Sequence, residues 1–293
     1  MAELDTLIDN VSDTALWVAH FRALESARVD ALFHDPLAAM LAGSKGPKIA
    51  ASMATTSKYT AWTLSIRTHV IDRYIERLIA EGVDVVLNLG AGLDTRPYRM
   101  QLPSSLRWIE IDYSHMIDYK QSLLLQQNAH CQLQHVRLDL ADREQRKSIF
   151  AELKGNKVLV LTEGVIPYLS EQQVADLAAD LYARDNFQFW IAEYFAKACY
   201  PYMKNSEMRR KMQNALFRFF PEDWLGFFKT QGWTPREITY LGEAGEKLNR
   251  NFPSPWWAAI FTLIMSKRRA LEIKRYTGYV IFARADHQVN QSR

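Results

Sequence analysis

An apolar run, Val85-Val86-Leu87-Asn88-Leu89, leads directly into the turn Gly90-Ala91-Gly92-Leu93-Asp94-Thr95. Glycine permits a tight bend and leaves room for a ligand beside the backbone, so Gly90, Ala91 and Gly92 suit a nucleoside cofactor. A plain strand-to-helix turn uses the same residues, and the G-x-G spacing alone does not separate the two. The next apolar run sharpens the choice. Trp108-Ile109-Glu110-Ile111-Asp112 ends in a carboxylate 22 residues after Gly90, where a second-strand acid accepts hydrogen bonds from both ribose hydroxyls. Asp112 is preferred because it ends the strand; Glu110 shares its parity but sits deeper and reads as a support. The competing role for Asp112 is a cap on a helix starting near Ser114.

These features fit NAD and S-adenosylmethionine alike. A dinucleotide wants a third glycine at position 95, where this chain has Thr95 followed by Pro97, so a pyrophosphate seat is disfavoured. S-Adenosylmethionine has no phosphate, but its methionine part carries an ammonium and a carboxylate that need a paired acid and base. Arg67 on the preceding helix could hold the carboxylate in a bidentate contact, with a solvated helix face as the alternative. Arg137-Leu138-Asp139-Leu140 places Asp139 where an adenine amino group would lie, unless it caps a helix. Leu161-Thr162-Glu163-Gly164 places Glu163 beneath the sulfonium end. A buried acid there is costly unless it meets a cation, and the ligand's ammonium is the expected one.

The elements that must position these groups are legible as changes of period. Thr14 to Ala27 reads as a helix, and Asp35-Pro36 opens another. Trp62, Ile66, Val70, Tyr74 and Leu78 recur every four residues, which puts one apolar stripe on a helix ending near Gly82. From Val83 the pattern becomes short apolar runs: Asp84 to Leu89, Arg107 to Ile111, Cys131 to Leu138, Lys157 to Leu161 and Phe187 to Tyr194. Tyr113 to Asn128, Arg143 to Leu153 and Glu171 to Arg184 lie between them as crossover helices, the last opened by a Ser170–Gln173 capping box. Such alternation implies an α/β protein with a mostly parallel sheet and right-handed connections. Two weaker strands, Arg236 to Leu241 and Tyr276 to Ala283, make seven.

We read one domain over 1–293: N-terminal helices over 1–82, a cofactor-binding core over 83–194, helical lid insertions over 195–235 and 242–275, and last strands over 236–241 and 276–284. Composition agrees with a globular chain: 48% of residues are hydrophobic and 24% charged, which excludes disorder as the main theme. A net charge of +3 against 36 basic and 33 acidic side chains implies no field for nucleic acid. Cys131 and Cys199 are too few for a disulfide framework and too isolated for zinc, so reduced thiols and no metal are expected. The acidic start, Glu3, Asp5 and Asp9, does not read as a signal peptide. The longest apolar run, Pro255 to Met265, is about half the roughly 20 residues a membrane span requires. A cytoplasmic protein that engages no membrane is expected.

The strings Asn88-Leu89-Gly90-Ala91-Gly92-Leu93-Asp94-Thr95-Arg96-Pro97-Tyr98-Arg99, Ile66-Arg67-Thr68, Glu110-Ile111-Asp112, Asp139-Leu140 and Thr162-Glu163-Gly164-Val165-Ile166-Pro167-Tyr168-Leu169 resemble the leucine carboxyl methyltransferase superfamily. The nearer likeness is to its bacterial branch, which includes the tetracenomycin polyketide O-methyltransferase. It runs from about Ser12 to Ala283, and the 88–99 string is highly specific. The resemblance implies a class I methyltransferase fold, Rossmann-like, with seven strands flanked by helices. It further implies that Arg67, Gly90, Asp112, Asp139, Leu140 and Glu163 contact S-adenosyl-L-methionine. Asn88 stands where many methyltransferases have an acid, Tyr113-Ser114-His115 replaces the usual Leu-Pro-Glu, and Phe195 to Lys274 matches least.

Methyl transfer is an in-line displacement, so such a protein must align an oxygen with the methyl group and keep water out. A carboxylic acid with pKa near 4 arrives ionised, whereas a phenol near 10 needs a base at a cost of roughly 4 kcal/mol. His20 and His115 are candidate bases, neither convincing, which together with the family likeness favours a carboxyl acceptor over a phenol. Arg22, on the helical face of Val18, is a candidate anchor for an anionic acceptor; Tyr168 and Tyr194 lie at strand ends near the expected methyl. Phe217, Phe219, Phe220, Trp256, Trp257 and Phe261 give the insertions an aromatic character suited to a flat apolar substrate, or to lid packing. Met208-Arg209-Arg210-Lys211 and Lys267-Arg268-Arg269 read as solvated faces. Rival readings are a protein C-terminal carboxyl methyltransferase, which predicts an open groove, a cofactor-binding module without catalysis, and a nicotinamide oxidoreductase.

Overall fold

The computed structural model describes residues 8, 10–153, 155, 157–204, 212, 214–253 and 265–285, the side chains of 54–56 excepted. Its seven strands are β1 (Val85–Leu89), β2 (Arg107–Asp112), β3 (Gln132–Arg137), β4 (Val158–Thr162), β5 (Phe187–Phe195), β6 (Trp233–Tyr240) and β7 (Thr277–Arg284). They form one sheet in the order β3-β2-β1-β4-β5-β7-β6. The pairs β1–β2, β2–β3, β1–β4 and β4–β5 are parallel, while β7 runs antiparallel to β5 and β6. Every residue of β1 and β4 is buried, so these strands show no alternation: helices cover both faces and both must be apolar.

The helices are α1 (Val11–Ser26), α2 (Ala38–Ala42), α3 (Lys45–Ser52), α4 (Ala54–Ala80), α5 (Arg96–Arg99), α6 (Ser114–Leu124), α7 (Arg143–Glu152) and α8 (Glu171–Tyr182), with short helices beyond β5. On α4 the four-residue stripe Ile66, Val70, Tyr74 and Leu78 packs on one sheet face, against Val86, Trp108, Leu159 and Ile281. Phe150 of α7 and Val174, Leu177 and Leu181 of α8 cover the other face, against Leu87, Val160 and Trp190. The Ser170 capping box opens α8 as expected: Gln173 N–H donates to Ser170 Oγ at 3.3 Å and Ser170 N–H to Gln173 Oε1 at 2.9 Å.

Two boundaries differ from expectation for visible reasons. Strand β6 begins at Trp233 instead of Arg236, because the Trp233 ring is wholly buried and its Nε1–H donates to Ala178 O at 3.0 Å. Asp35-Pro36 does not open its helix directly; the Asp35 carboxylate, 2% exposed, turns inward to Arg22 and Thr95 instead of capping. Trp256, Trp257, Phe261 and the run Met208–Lys211 lie outside the described residues. Arg268 and Arg269 are exposed on a helix of residues Lys267–Lys274, each paired to Glu272. Among the described residues no helix is long and apolar enough to cross a membrane.

The chain builds outward from β1 to β3, then returns to place β4 on the other side of β1. Connections after β1 and β4 therefore diverge, which opens a crevice at their carboxyl ends.

Candidate active site

That crevice has a volume of about 470 Å³, and Arg67, Gly90, Ala91, Gly92, Asp112, Asp139, Leu140 and Glu163 all line it. So do Arg22 and Tyr168. Tyr194 is not among the lining residues. Successive strand residues point to opposite faces; Glu193 on β5 faces the Arg67 side, and Tyr194 turns to pack edge-on against Tyr240 at 5.7 Å. The expectation that Tyr194 would lie near the methyl is corrected on that ground.

The loop after β1 is open because of its glycines. Gly90 and Gly92 have φ of 67° and 49°, in the left-handed region, and a Cβ on Gly90 would come within 2.5 Å of Val165 Cγ2. Asp112 binds this loop: its Oδ2 accepts from Gly92 N–H at 2.6 Å and its Oδ1 from Tyr113 N–H at 2.7 Å. It does not cap α6, whose N-cap residue is Tyr113 with no side-chain bond. Burial pushes the Asp112 carboxyl above its ordinary value, only partly offset by those amides. Asp139 likewise is not the cap of α7, a role taken by Asp142; its Oδ1 accepts from Ala141 N–H at 2.8 Å.

Helix α4 delivers Arg67 to the end of β4, where its Nε lies 3.0 Å from Glu163 Oε1. The N–H is not aimed along that contact, so this buried donor has no hydrogen-bond acceptor. The other Glu163 oxygen accepts from Arg96 Nη1 at 2.7 Å. The expected cation for Glu163 is thus supplied by the protein itself, twice. Burial works to raise the Glu163 carboxyl, but the Arg96 and Arg67 guanidiniums outweigh it and hold it below the ordinary range.

Arg96, unassigned in the sequence reading, is the hub of this end of the crevice. It is 2% exposed and also binds Asp72 at 2.7 Å and Asp94 at 2.8 Å. Asn88, which stands in place of an acid, donates to Asp94 Oδ2 at 2.9 Å, so the strand amide orients the acid that orients Arg96. The sequence signal was the Asp94-Thr95-Arg96 string itself, whose side chains look like loop polarity until the tertiary partners are seen.

The opposite end is apolar, with Trp17 and Val18 of α1, Leu64 of α4, Met212 and Phe217 as walls. The Phe217 ring lies 5.1 Å from that of Tyr168. Phe219 and Phe220, expected beside it, turn away: Phe219 is fully buried against Trp224, and Phe220 packs on Tyr200 at 5.1 Å. Arg22 is already engaged, by Asp35 at 2.9 Å and by Leu93 O at 2.5 Å. Its role as acceptor anchor is displaced by that buried pair, which ties α1 to the loop after β1. Burial keeps the Tyr168 hydroxyl protonated by raising its pKa. His20 packs on Phe21, and His115 bonds Ser12 Oγ at 2.8 Å and stacks on Tyr113; neither lines the crevice. Among the described residues no cluster of three or more His, Cys, Asp or Glu could hold a metal.

The fold has counterparts. A crystal structure of a DUF574 family protein from Streptomyces avermitilis shares the fold with a TM-score of 0.56 at 14% identity, over 91% of this chain and 96% of that one. A Streptomyces coelicolor protein, provisionally named as an S-adenosyl-L-methionine-dependent methyltransferase, is 37% identical over 179 residues, 57% of this chain and 62% of its own length. A similarly named Streptomyces avermitilis protein is 32% identical over 181 residues, 58% of this chain and 64% of its own. The chain thus spans somewhat over three-fifths of the length of these relatives. The family model for leucine carboxyl methyltransferase matches residues 15–182, which carry most of α1, all of α4, the glycine loop, Asp112, Asp139 and Glu163. The chain belongs to the leucine carboxyl methyltransferase family.

Proposed function

We propose that this chain is an S-adenosyl-L-methionine-dependent O-methyltransferase whose acceptor is the carboxylate of a small, apolar acid. The observation that carries the reading is the unsatisfied Nε of Arg67 beside Glu163, in a crevice shared with Asp112 and Asp139. A zwitterion would give that donor an acceptor and give Glu163 an ammonium. An orphaned buried donor is otherwise a cost of about 1–3 kcal/mol.

The donor set fits the cofactor group by group. Arg67 would hold its carboxylate and Glu163 its ammonium. Asp112, with lone pairs left after Gly92 and Tyr113, would take the ribose hydroxyls, and Asp139 with Leu140 would border the adenine. When bound, S-adenosyl-L-methionine supplies an electrophilic methyl group on a sulfonium. The four-residue α5, begun by Arg96-Pro97, offers no long helix N-terminus to a pyrophosphate, which weighs against a dinucleotide.

The remaining residues align and dry the reactants. Trp17, Val18, Leu64, Met212 and Phe217 exclude water, so an anionic oxygen keeps little of its hydration shell. Tyr168, kept protonated by burial and in side-chain hydrogen-bond contact with Thr14, would lend its hydroxyl to orient the acceptor. With neither His20 nor His115 in the crevice, an acceptor that arrives ionised is favoured over a phenol.

The test incubates the full chain with methyl-labelled S-adenosyl-L-methionine and a panel of aromatic and alicyclic carboxylic acids and phenols. Label is expected in alkali-labile esters. Label confined to alkali-stable ethers would move the acceptor to a phenol. Tight S-adenosylhomocysteine binding with no labelled product across the panel would leave a binding module.

A further inference from the structure

We propose that Arg218 selects the methyl acceptor by its negative charge; this rests on the methyltransferase reading above and deepens it. Three arginines line the crevice: Arg22, Arg67 and Arg218. Arg22 is neutralised by Asp35 and Arg67 faces Glu163. Among the described residues the Arg218 guanidinium has no hydrogen bond or ion pair, and its side chain is exposed at the crevice. It is the uncompensated cation of the three.

The arm that carries it is well anchored. Arg218 N–H and Phe219 N–H both donate to Pro167 O, at 2.7 and 3.2 Å, in the turn Ile166–Tyr168 that presents Tyr168. Phe217 packs on Tyr168 in the crevice wall while Phe219 is locked in the core at 4.7 Å from Trp224. Phe217 and Arg218 both line the crevice while Phe219 anchors the strip in the core, so Arg218 is held between two fixed rings. The charges of the crevice are thereby polarised. Asp112 and Asp139 carry the negative charge at the cofactor end, where Glu163 is matched by Arg67 and Arg96, and Arg218 joins the apolar acceptor end beside Phe217, suited to an anion with an apolar body. Methylation of that carboxylate removes its charge, so the same contact favours the acid over its ester.

The test titrates 2-naphthoate and its neutral methyl ester into the full chain, with and without S-adenosylhomocysteine. Wild type is expected to bind the acid about ten-fold more tightly than the ester, the size of one charge-assisted contact at a half-open site. Arg218→Gln should bring the two within two-fold by weakening the acid alone, and Arg218→Lys should restore part of the preference. Thermal unfolding of both variants checks that the fold is intact, and their S-adenosylhomocysteine affinity should equal that of wild type. Equal binding of acid and ester by wild type, undiminished acid preference in Arg218→Gln, or equal weakening of both ligands would each overturn the proposal. Absence of S-adenosylhomocysteine binding would instead strike the methyltransferase reading, because the charge preference is also read without it.

Discussion

Arg67 Nε lies 3.0 Å from Glu163 Oε1, joining the middle of α4 to the end of β4 across the mouth of the crevice. Neither residue is near the other in sequence, and each has a reason to be elsewhere, Arg67 in solvent and Glu163 hydrated. Burying both together is tolerable because Arg96 shares the carboxylate and Asp72 and Asp94 share Arg96. This end of the crevice is therefore a charge network set within the protein.

Arg96→Met should expose how much the network depends on its hub. Three acids would lose a buried partner, and breaking such a set by removing one member costs about 3–5 kcal/mol. Urea denaturation of the variant is expected to show that loss. A drop below about 1 kcal/mol would mean that Asp72, Asp94 and Glu163 are satisfied without it.

Asp112→Ala removes the carboxylate that holds Gly92 N–H and is assigned to the ribose. Two charge-assisted hydrogen bonds of about 1.5–3 kcal/mol each imply a loss of at least 100-fold in S-adenosylhomocysteine affinity by calorimetry. The fold should persist, since deleting a carboxyl whose pKa is raised by burial also removes a desolvation cost. Wild-type affinity in this variant would remove the ribose assignment.

Gly90→Ala places a Cβ 2.5 Å from Val165 Cγ2 at a φ of 67°. The left-handed conformation alone costs about 1–2 kcal/mol for a residue with Cβ, and the contact forces the loop or Val165 to shift. Cofactor affinity should fall sharply in the single variant and recover in part when Val165→Ala is added. Equal affinities for the single and double variants would show that the Val165 contact is irrelevant.

Glu193 on β5 is 3% exposed; its Oε1 accepts from Gly164 N–H, and its Oε2 has no hydrogen-bond partner. Burial pushes its carboxyl up to about 7, against the pull of the Gly164 amide and Arg67. A raised folded-state value makes ionisation a cost: stability is fully present below the unfolded value near 4.5 and is lost as pH rises through about 7. Glu193→Gln keeps an oxygen for Gly164 and cannot ionise. Its stability should match wild type below pH ~5 and exceed it at pH ~8.5, by on the order of 3 kcal/mol at most. A stability difference that does not change with pH would show that Glu193 is not a titrating group in this range.

Much of the frame was legible because strand and helix periods are local properties. The run from Val83 alternates short apolar segments with polar helical ones, and each of the seven strands lies within three residues of its expected place. The stripe from Ile66 to Leu78 marked the buried face of α4 for the same reason: every fourth residue meets the sheet. The acids at the ends of β2, the segment after β3 and β4 could be picked because the end of a parallel strand opens on the crevice whatever its neighbours are.

By itself, the amino-acid order determined the α/β alternation, the glycine turn and which strand ends carry carboxylates, since each follows from backbone periodicity and the steric needs of single residues. Tertiary structure alone decided which arginine does what. Arg22 is spent on Asp35, Arg96 on three acids, and Arg218 is left over among the described residues; Tyr194 was lost to the far side of β5 by one step of strand parity. Long-range charge pairing is chosen by which side chains packing brings within about 4 Å and out of water, and no local pattern in the chain encodes that distance.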